Sequence, residues 1–259
     1  MEGNRVDAFR AREESHIERV ELLGVGVDAV DMPNALFLME QFIAEGVPRM
    51  VVTADASGIV AAQSDRRFHD VLEKADLVTP DSVGVLWAMK RAGRPLTQRV
   101  SGVELVDEVC RLSSRKGYRV FFLGAAPGVA ERAADRMRLK HPGANIVGTQ
   151  DGFFHRDEER AIINRIRELQ VDVLFVAMGI PKQELFISDN MYELNPKVAM
   201  GVGGSFDVLS GLVKRAPLIV QKLKMEWAWR FIMNPRKRSK IAQLPKFWWM
   251  VIRTPKRAI

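Results

Sequence analysis

Leu77-Val78-Thr79-Pro80-Asp81-Ser82-Val83-Gly84 decides the architecture. An apolar, β-branched run ends in a Pro-Asp-Ser turn, and an amphipathic helical pattern starts at once at Val83. The same unit recurs outward in both directions. Strands are predicted over Glu21–Val27, Arg49–Thr53, Ala75–Thr79, Tyr118–Leu123, Asn145–Gly148, Asp172–Met178 and Lys197–Val202. Helices are predicted over Pro33–Glu45, Ser57–Lys74 (in one piece or two), Val83–Ala92, Gly102–Lys116, Gly128–His141, Asp157–Leu169 and Pro181–Met191. Strand–helix alternation with apolar strands predicts an α/β fold whose largely parallel sheet is flanked by helices on both faces. Arg94–Gln98 interrupts the pattern, so the body is read as two lobes.

Charge is divided unevenly. Of 39 Lys and Arg and 32 Asp and Glu in 259 residues, thirteen bases and one acid (Glu226) fall from Lys214 onward. That leaves 26 bases against 31 acids before it, a body of −5 and a tail of +12. Four of the five tryptophans, Trp227, Trp229, Trp248 and Trp249, lie in the tail. Bases mixed with indoles suit an anionic bilayer surface, with each charge near it worth about 1 kcal/mol. The greasiest run, Phe247–Ile252, is flanked by Lys246 and Arg253; it suits an interface, with the indoles and Phe247 at headgroup depth. It falls well short of the roughly 18–20 residues that span a bilayer. The tail reads as a helix over Ala216–Met233, then as short pieces broken at Pro235, Pro245 and Pro255. Three segments follow: a charged N-terminal extension (1–20) without the apolar core of a signal peptide, an α/β body (21–213) and an α-helical basic appendage (214–259). Cys110 is the single cysteine, which excludes an intrachain disulfide and a cysteine-rich zinc site and fits a reducing compartment.

The loops after the strands carry the chemistry. Thr53-Ala54-Asp55 offers a hydroxyl and a carboxylate, and Asp55 can equally be a helix N-cap. Asp81 either caps the next helix or serves as a general base. Arg99-Val100-Ser101-Gly102 sets a guanidinium ahead of a helix start, where phosphate or a developing anion can be held; the plainer reading pairs Arg99 with Glu104 or Asp107. Gly124-Ala125-Ala126-Pro127-Gly128 is a strand-to-helix turn open to close backbone approach by a uridine or phosphate, yet it is not the dinucleotide fingerprint. Gln183, after Gly179-Ile180-Pro181-Lys182, and Asp207, after Gly203-Gly204-Ser205-Phe206, are placed to hydrogen-bond sugar hydroxyls. No Asp-x-Asp, P-loop or Gly-x-Ser-x-Gly occurs, and the four histidines (His16, His69, His141, His155) show no ligand spacing, so neither metal nor cofactor is expected.

Taken in order, Thr53, Thr79-Pro80-Asp81-Ser82-Val83-Gly84-Val85, Arg99-Val100-Ser101-Gly102, Gly179-Ile180-Pro181-Lys182-Gln183-Glu184, Gly201–Gly211 and the tail from Arg215 to Lys240 resemble the WecG/TagA/CpsF family of bacterial glycosyltransferases. The resemblance runs from about Leu22 to Arg238. It implies an inverting, metal-independent transferase that moves a sugar from a UDP donor to a polyprenyl-diphosphate-linked sugar during surface polysaccharide assembly. It implies a peripheral location on the cytoplasmic face of the inner membrane and leaves room for a homo-oligomer. On the matching positions Asp81 is the base, and Thr53, Arg99 and Gln183 are active-site polar groups. Asp207 lines the nucleotide site and Arg230 is a cation of the appendage. Gly124, Ala125, Gly203 and Gly204 join the substrate-binding set. Asp55 departs from the family's usual Asn, which bears on the donor sugar: glucose, N-acetylmannosamine or its uronic acid. Two other classes stay in view, a nucleic-acid-binding protein gripping phosphates with its tail and an NAD-type oxidoreductase. Tail indoles paired with Phe and Met speak against the first, and the absent fingerprint against the second.

Overall fold

Successive residues of a strand leave on opposite faces, so a strand apolar at every position has to fill two cores. In the computed structural model, which describes residues 17–213 and 243–255, β3 (Arg49–Ala54) sends Met50, Val52 and Ala54 into one apolar cluster and Val51 into another. The other strands of the sheet behave alike: β4 (Leu77–Pro80), β5 (Val120–Gly124), β6 (Ile146–Gln150), β7 (Val173–Ala177) and β8 (Val198–Gly201). All pairings are parallel and the order is β4-β3-β8-β7-β5-β6. Strands from the two halves of the sequence thus share one sheet, with β8 joining β3 to β7.

One face carries α2 (Ala56–Ala62), α3 (Arg66–Lys74), α4 (Val83–Arg91), α7 (Arg156–Glu168) and α8 (Lys182–Leu194). The opposite face carries α1 (Met32–Glu45), α5 (Gly102–Lys116), α6 (Val129–Lys140) and the short α9 (Ser205–Leu209). Starts and stops follow local chemistry. Asp31, Asp55, Asp65, Ser82 and Ser101 each accept a backbone N–H at a helix N-cap, and Gly46 and Gly117 end helices in the left-handed region.

The predicted strand Glu21–Val27 is instead a hairpin of β1 (Arg19–Leu22) and β2 (Val25–Asp28). Leu23 and Gly24 both take positive φ, as a two-residue hairpin turn requires, and a leucine at that position disguises it. Asp28, fully buried, accepts from Arg19 through both oxygens (2.9 and 3.0 Å) and from the Val78 amide (2.7 Å). The hairpin thereby covers the edge strand β4, which would otherwise be open to foreign strands.

The tail differs most from expectation. Gln243–Arg253 is one helix, α10, because Pro245 stands in its first turn, where a missing N–H costs nothing. Phe247 is 0% exposed, so it is not available at headgroup depth. Its ring lies over Gly84, where a Cβ would stand 3.4 Å away, and Val251 is buried beside it. Trp248 packs on Trp87 with centroids 4.1 Å apart. Arg91 Nη2 donates to the carbonyls of Ile252 (3.1 Å) and Thr254 (3.4 Å), satisfying the end of α10. The predicted extension before residue 17, the helix Ala216–Met233 and Arg230 lie outside the described residues.

Phe247→Ala should lower stability by about 3 kcal/mol and open α10 to protease. Trp249→Ala, at a position 54% exposed, should stay within about 0.5 kcal/mol. Urea unfolding and limited proteolysis read both.

Candidate active site

In an open parallel sheet the strands deliver their loops to one edge, and ligands bind there. Along the carboxyl edge runs a cleft of about 780 Å³, lined among others by Thr53, Asp55, Asp81, Arg99, Gln183 and Asp207. Register brings the first of these together. Thr53 lies opposite Thr79, and the ladder continues past the strand through Asp81 N to Ala54 O (2.9 Å). Val100 N donates to Pro80 O (2.8 Å) and Thr79 Oγ1 to Val100 O (3.4 Å), which fixes the segment carrying Arg99 against the end of β4.

Ser82, not Asp81, caps α4: its Oγ accepts from Val85 N at 3.2 Å. Asp81 is left pointing toward the next helix, where Oδ2 accepts from Gly102 N (3.4 Å) at the start of the fifteen-residue α5. A carboxylate at such a terminus meets a favourable dipole. Asp55 takes the predicted N-cap position. Oδ1 caps α2 by accepting from Gly58 N (2.6 Å) and Ser57 Oγ (2.7 Å), and the residue also lines the cleft.

Gln183 is a strut. It is 1% exposed. Its Oε1 accepts from Gly179 N (3.0 Å) and Gly203 N (2.9 Å), while Nε2 donates to Glu184 Oε1 (2.7 Å). One amide therefore ties the loop after β7 to the loop after β8, and both lone pairs of its oxygen are taken. Gly201 leaves the room: a Cβ there would sit 2.6 Å from Gln183 Nε2. Thr53 Oγ1 leans on Gly201 O at 3.3 Å. Gly203, Gly204 and Asp207 line the wall formed by the start of α9.

Of the turn after β5, Ala125 lines the cleft and Gly124 does not. A Cβ at Gly124 would lie 2.5 Å from Ala177 O, so the glycine serves the approach of β7. No sequence motif assigns a site role to Lys182, exposed at the start of α8, or to Phe153 and His155 between β6 and α7, yet all three line the cleft. The usable signal was position: each lies within five residues after a strand's carboxyl end. Cys110 is buried in α5; burial first, then the charge of Asp107, pushes its thiol up to about 12, so it offers no thiolate near neutral pH. Among the described residues no three His, Cys, Asp or Glu side chains converge as metal ligands would.

Residues 20–258 match the model of the Glycosyl transferase WecG/TagA/CpsF family. Three relatives are each named N-acetylglucosaminyldiphosphoundecaprenol N-acetyl-β-D-mannosaminyltransferase. That of Bacillus spizizenii is 36% identical over 76% of this chain and 76% of its own length. That of Staphylococcus aureus MRSA252 is 30% identical over 95% and 96%. That of Bacillus subtilis 168 is 30% identical over 85% of each.

Gln183→Leu should strand the amides of Gly179 and Gly203 and cost roughly 1–3 kcal/mol in urea unfolding. Gly201→Ala should cost stability in the same direction by displacing the same carboxamide.

Proposed function

The chain belongs to the WecG/TagA/CpsF glycosyltransferase family, and from that premise we propose that it transfers a sugar from a UDP donor to a polyprenyl-diphosphate-linked sugar with inversion and without a metal. The names of its relatives favour N-acetylmannosamine as the sugar and an N-acetylglucosaminyl diphosphate lipid as the acceptor. This reading replaces the dinucleotide and nucleic-acid alternatives.

The observation that carries it is that a carboxylate and a guanidinium, Asp81 and Arg99, line one cleft on segments locked by the Val100–Pro80 hydrogen bond. Asp81 takes the proton of the acceptor hydroxyl as its oxygen bonds to the anomeric carbon. The bond from that carbon to the UDP oxygen breaks on the opposite face, and its electron pair stays on the diphosphate. Arg99 and Lys182 are the cleft cations assigned to that growing charge. Arg230, outside the described residues, is assigned with them through the family resemblance. Gln183 acts by holding the two glycine loops in place.

The appendage (214–259) is proposed to seat the enzyme peripherally on the anionic cytoplasmic leaflet, where the lipid acceptor lies. Support comes from the face of α10 turned away from the body, where Trp249 and Ile252 are 54% and 58% exposed and Arg253 stacks over the Trp249 ring at 4.1 Å. Among the described residues no helix is long and apolar enough to cross a membrane.

Asp81→Asn should lower kcat by about 10²–10⁴-fold in a UDP-release assay with a lipid-diphosphate sugar, and a chelator should leave the wild-type rate unchanged. Full activity of the variant would remove Asp81 as base; loss of rate in chelator would remove metal independence. Replacing Trp249 and Ile252 together by serine should weaken flotation with anionic vesicles several-fold while the urea midpoint holds. Undiminished flotation would move the lipid contact elsewhere.

A further inference from the structure

Asp55 and Asp81 leave neighbouring strands at one level. Ala54 is registered against Pro80, each is followed at once by its aspartate, and paired strands stand about 4.8 Å apart. Both aspartates line the cleft. Asp81 is used as the base, which leaves the charge of Asp55 without a task.

Capping α2 does not need that charge. Asp55 Oδ1 accepts from Gly58 N (2.6 Å) and Ser57 Oγ (2.7 Å), which occupies both of its lone pairs. A serine or asparagine oxygen caps a helix as well as an aspartate does. Among the described residues no Lys, Arg or His forms an ion pair with Asp55. The cations of the cleft lining, Arg99 and Lys182, are assigned to the departing diphosphate. The negative charge of Asp55, a partly exposed residue, therefore bears on the sugar that fills the cleft beside it.

We infer that Asp55 is a specificity determinant whose carboxylate admits a neutral donor sugar and turns away the uronic acid of the same sugar; this rests on the transferase reading above. The two sugars differ only at C6, a hydroxymethyl group in one and a carboxylate in the other. The hydroxyl held by Asp81 attacks the anomeric carbon, so the donor ring stands beside the ends of β3 and β4. A carboxylate at C6 is then no more than a ring's width from that carbon. Coulomb repulsion needs no contact, and its screening length at physiological salt is about 8 Å, wider than a sugar ring. Between the low-dielectric walls of a cleft it is stronger than in open water. A hydroxymethyl group meets none of it and can donate a hydrogen bond to a carboxylate. Selection of this kind works by repelling the wrong substrate rather than by gripping the right one.

UDP release by the full chain tests the filter, with UDP-N-acetylmannosamine and UDP-glucose each set against the uronic acid of the same sugar. The wild type should favour the neutral donor in kcat/KM by about tenfold or more. Asp55→Asn and Asp55→Ser, both able to cap α2, should each raise kcat/KM for the uronate about tenfold in absolute terms. Raising salt from about 0.05 to 0.5 M should narrow the preference of the wild type and leave that of the variants unchanged. Equal or better use of the uronate by the wild type, continued refusal by both variants, a gain with asparagine alone, or a preference indifferent to salt would each overturn the filter and leave the transferase reading standing. A wild type that releases UDP from none of the four donors, with a lipid-diphosphate sugar present, would overturn the transferase reading and the filter with it.

Discussion

The parallel register of β3 between β4 and β8 is the constraint from which the cleft follows. It sets Thr53 beside Thr79 and Val52 beside Gly201, so Asp55, Asp81 and Gly203, far apart in sequence, emerge at one edge. Hydrophobic alternation cannot hold that register, because both faces of these strands are apolar and a one-residue slip would still bury every side chain. Fitted backbone contacts hold it instead. Gly201 passes under Gln183 and Glu184, Gly148 under the Phe121 ring, and Gly124 against the Ala177 carbonyl, each with room for no Cβ. A slip would bring a larger residue to at least one of these places. The order of the sheet and the shape of the cleft are therefore fixed by the same few contacts.

Legibility in the sequence tracked the range of the interaction involved. Strand–helix alternation is local, so the elements from Arg49 to Val202 were readable to within three residues at either end. Residues that follow a strand's carboxyl end were readable as cleft residues for the same reason, and Thr53, Asp55, Asp81, Arg99, Gln183 and Asp207 do meet. Roles that depend on a distant partner were not readable. Gln183 looked like a ligand for sugar hydroxyls, but its oxygen is engaged by two loops, one of them twenty residues on. Gly124 looked like a nucleotide contact, whereas its lack of a side chain serves Ala177, more than fifty residues away.

The C-terminal helix shows the same limit more sharply. Composition alone makes Phe247–Ile252 a uniform greasy run, yet helical periodicity sorts it. Phe247 and Val251, four apart, face the body, while Trp249 and Ile252 face outward. A run read as one interfacial segment is thus two surfaces, one packed on the body and one exposed. Trp248 stands at the boundary, held by Trp87. Arg91, on the helix that begins two residues after Asp81, closes the carbonyl end of α10.

That docking gives the cleft a direction. α10 rests on α2 and α4, the helices that continue from β3 and β4, and so it lies at the end of the sheet where Asp81 emerges. The loop after β6 stands at the opposite edge of the strand order. On the proposed reading, a membrane-borne acceptor reaches the base from the side that carries the exposed Trp249 and Ile252, and the soluble donor is left the side away from lipid. The proposed inversion needs the attacking hydroxyl and the departing diphosphate on opposite sides of the anomeric carbon, an arrangement that substrates entering from opposite ends of the cleft would allow.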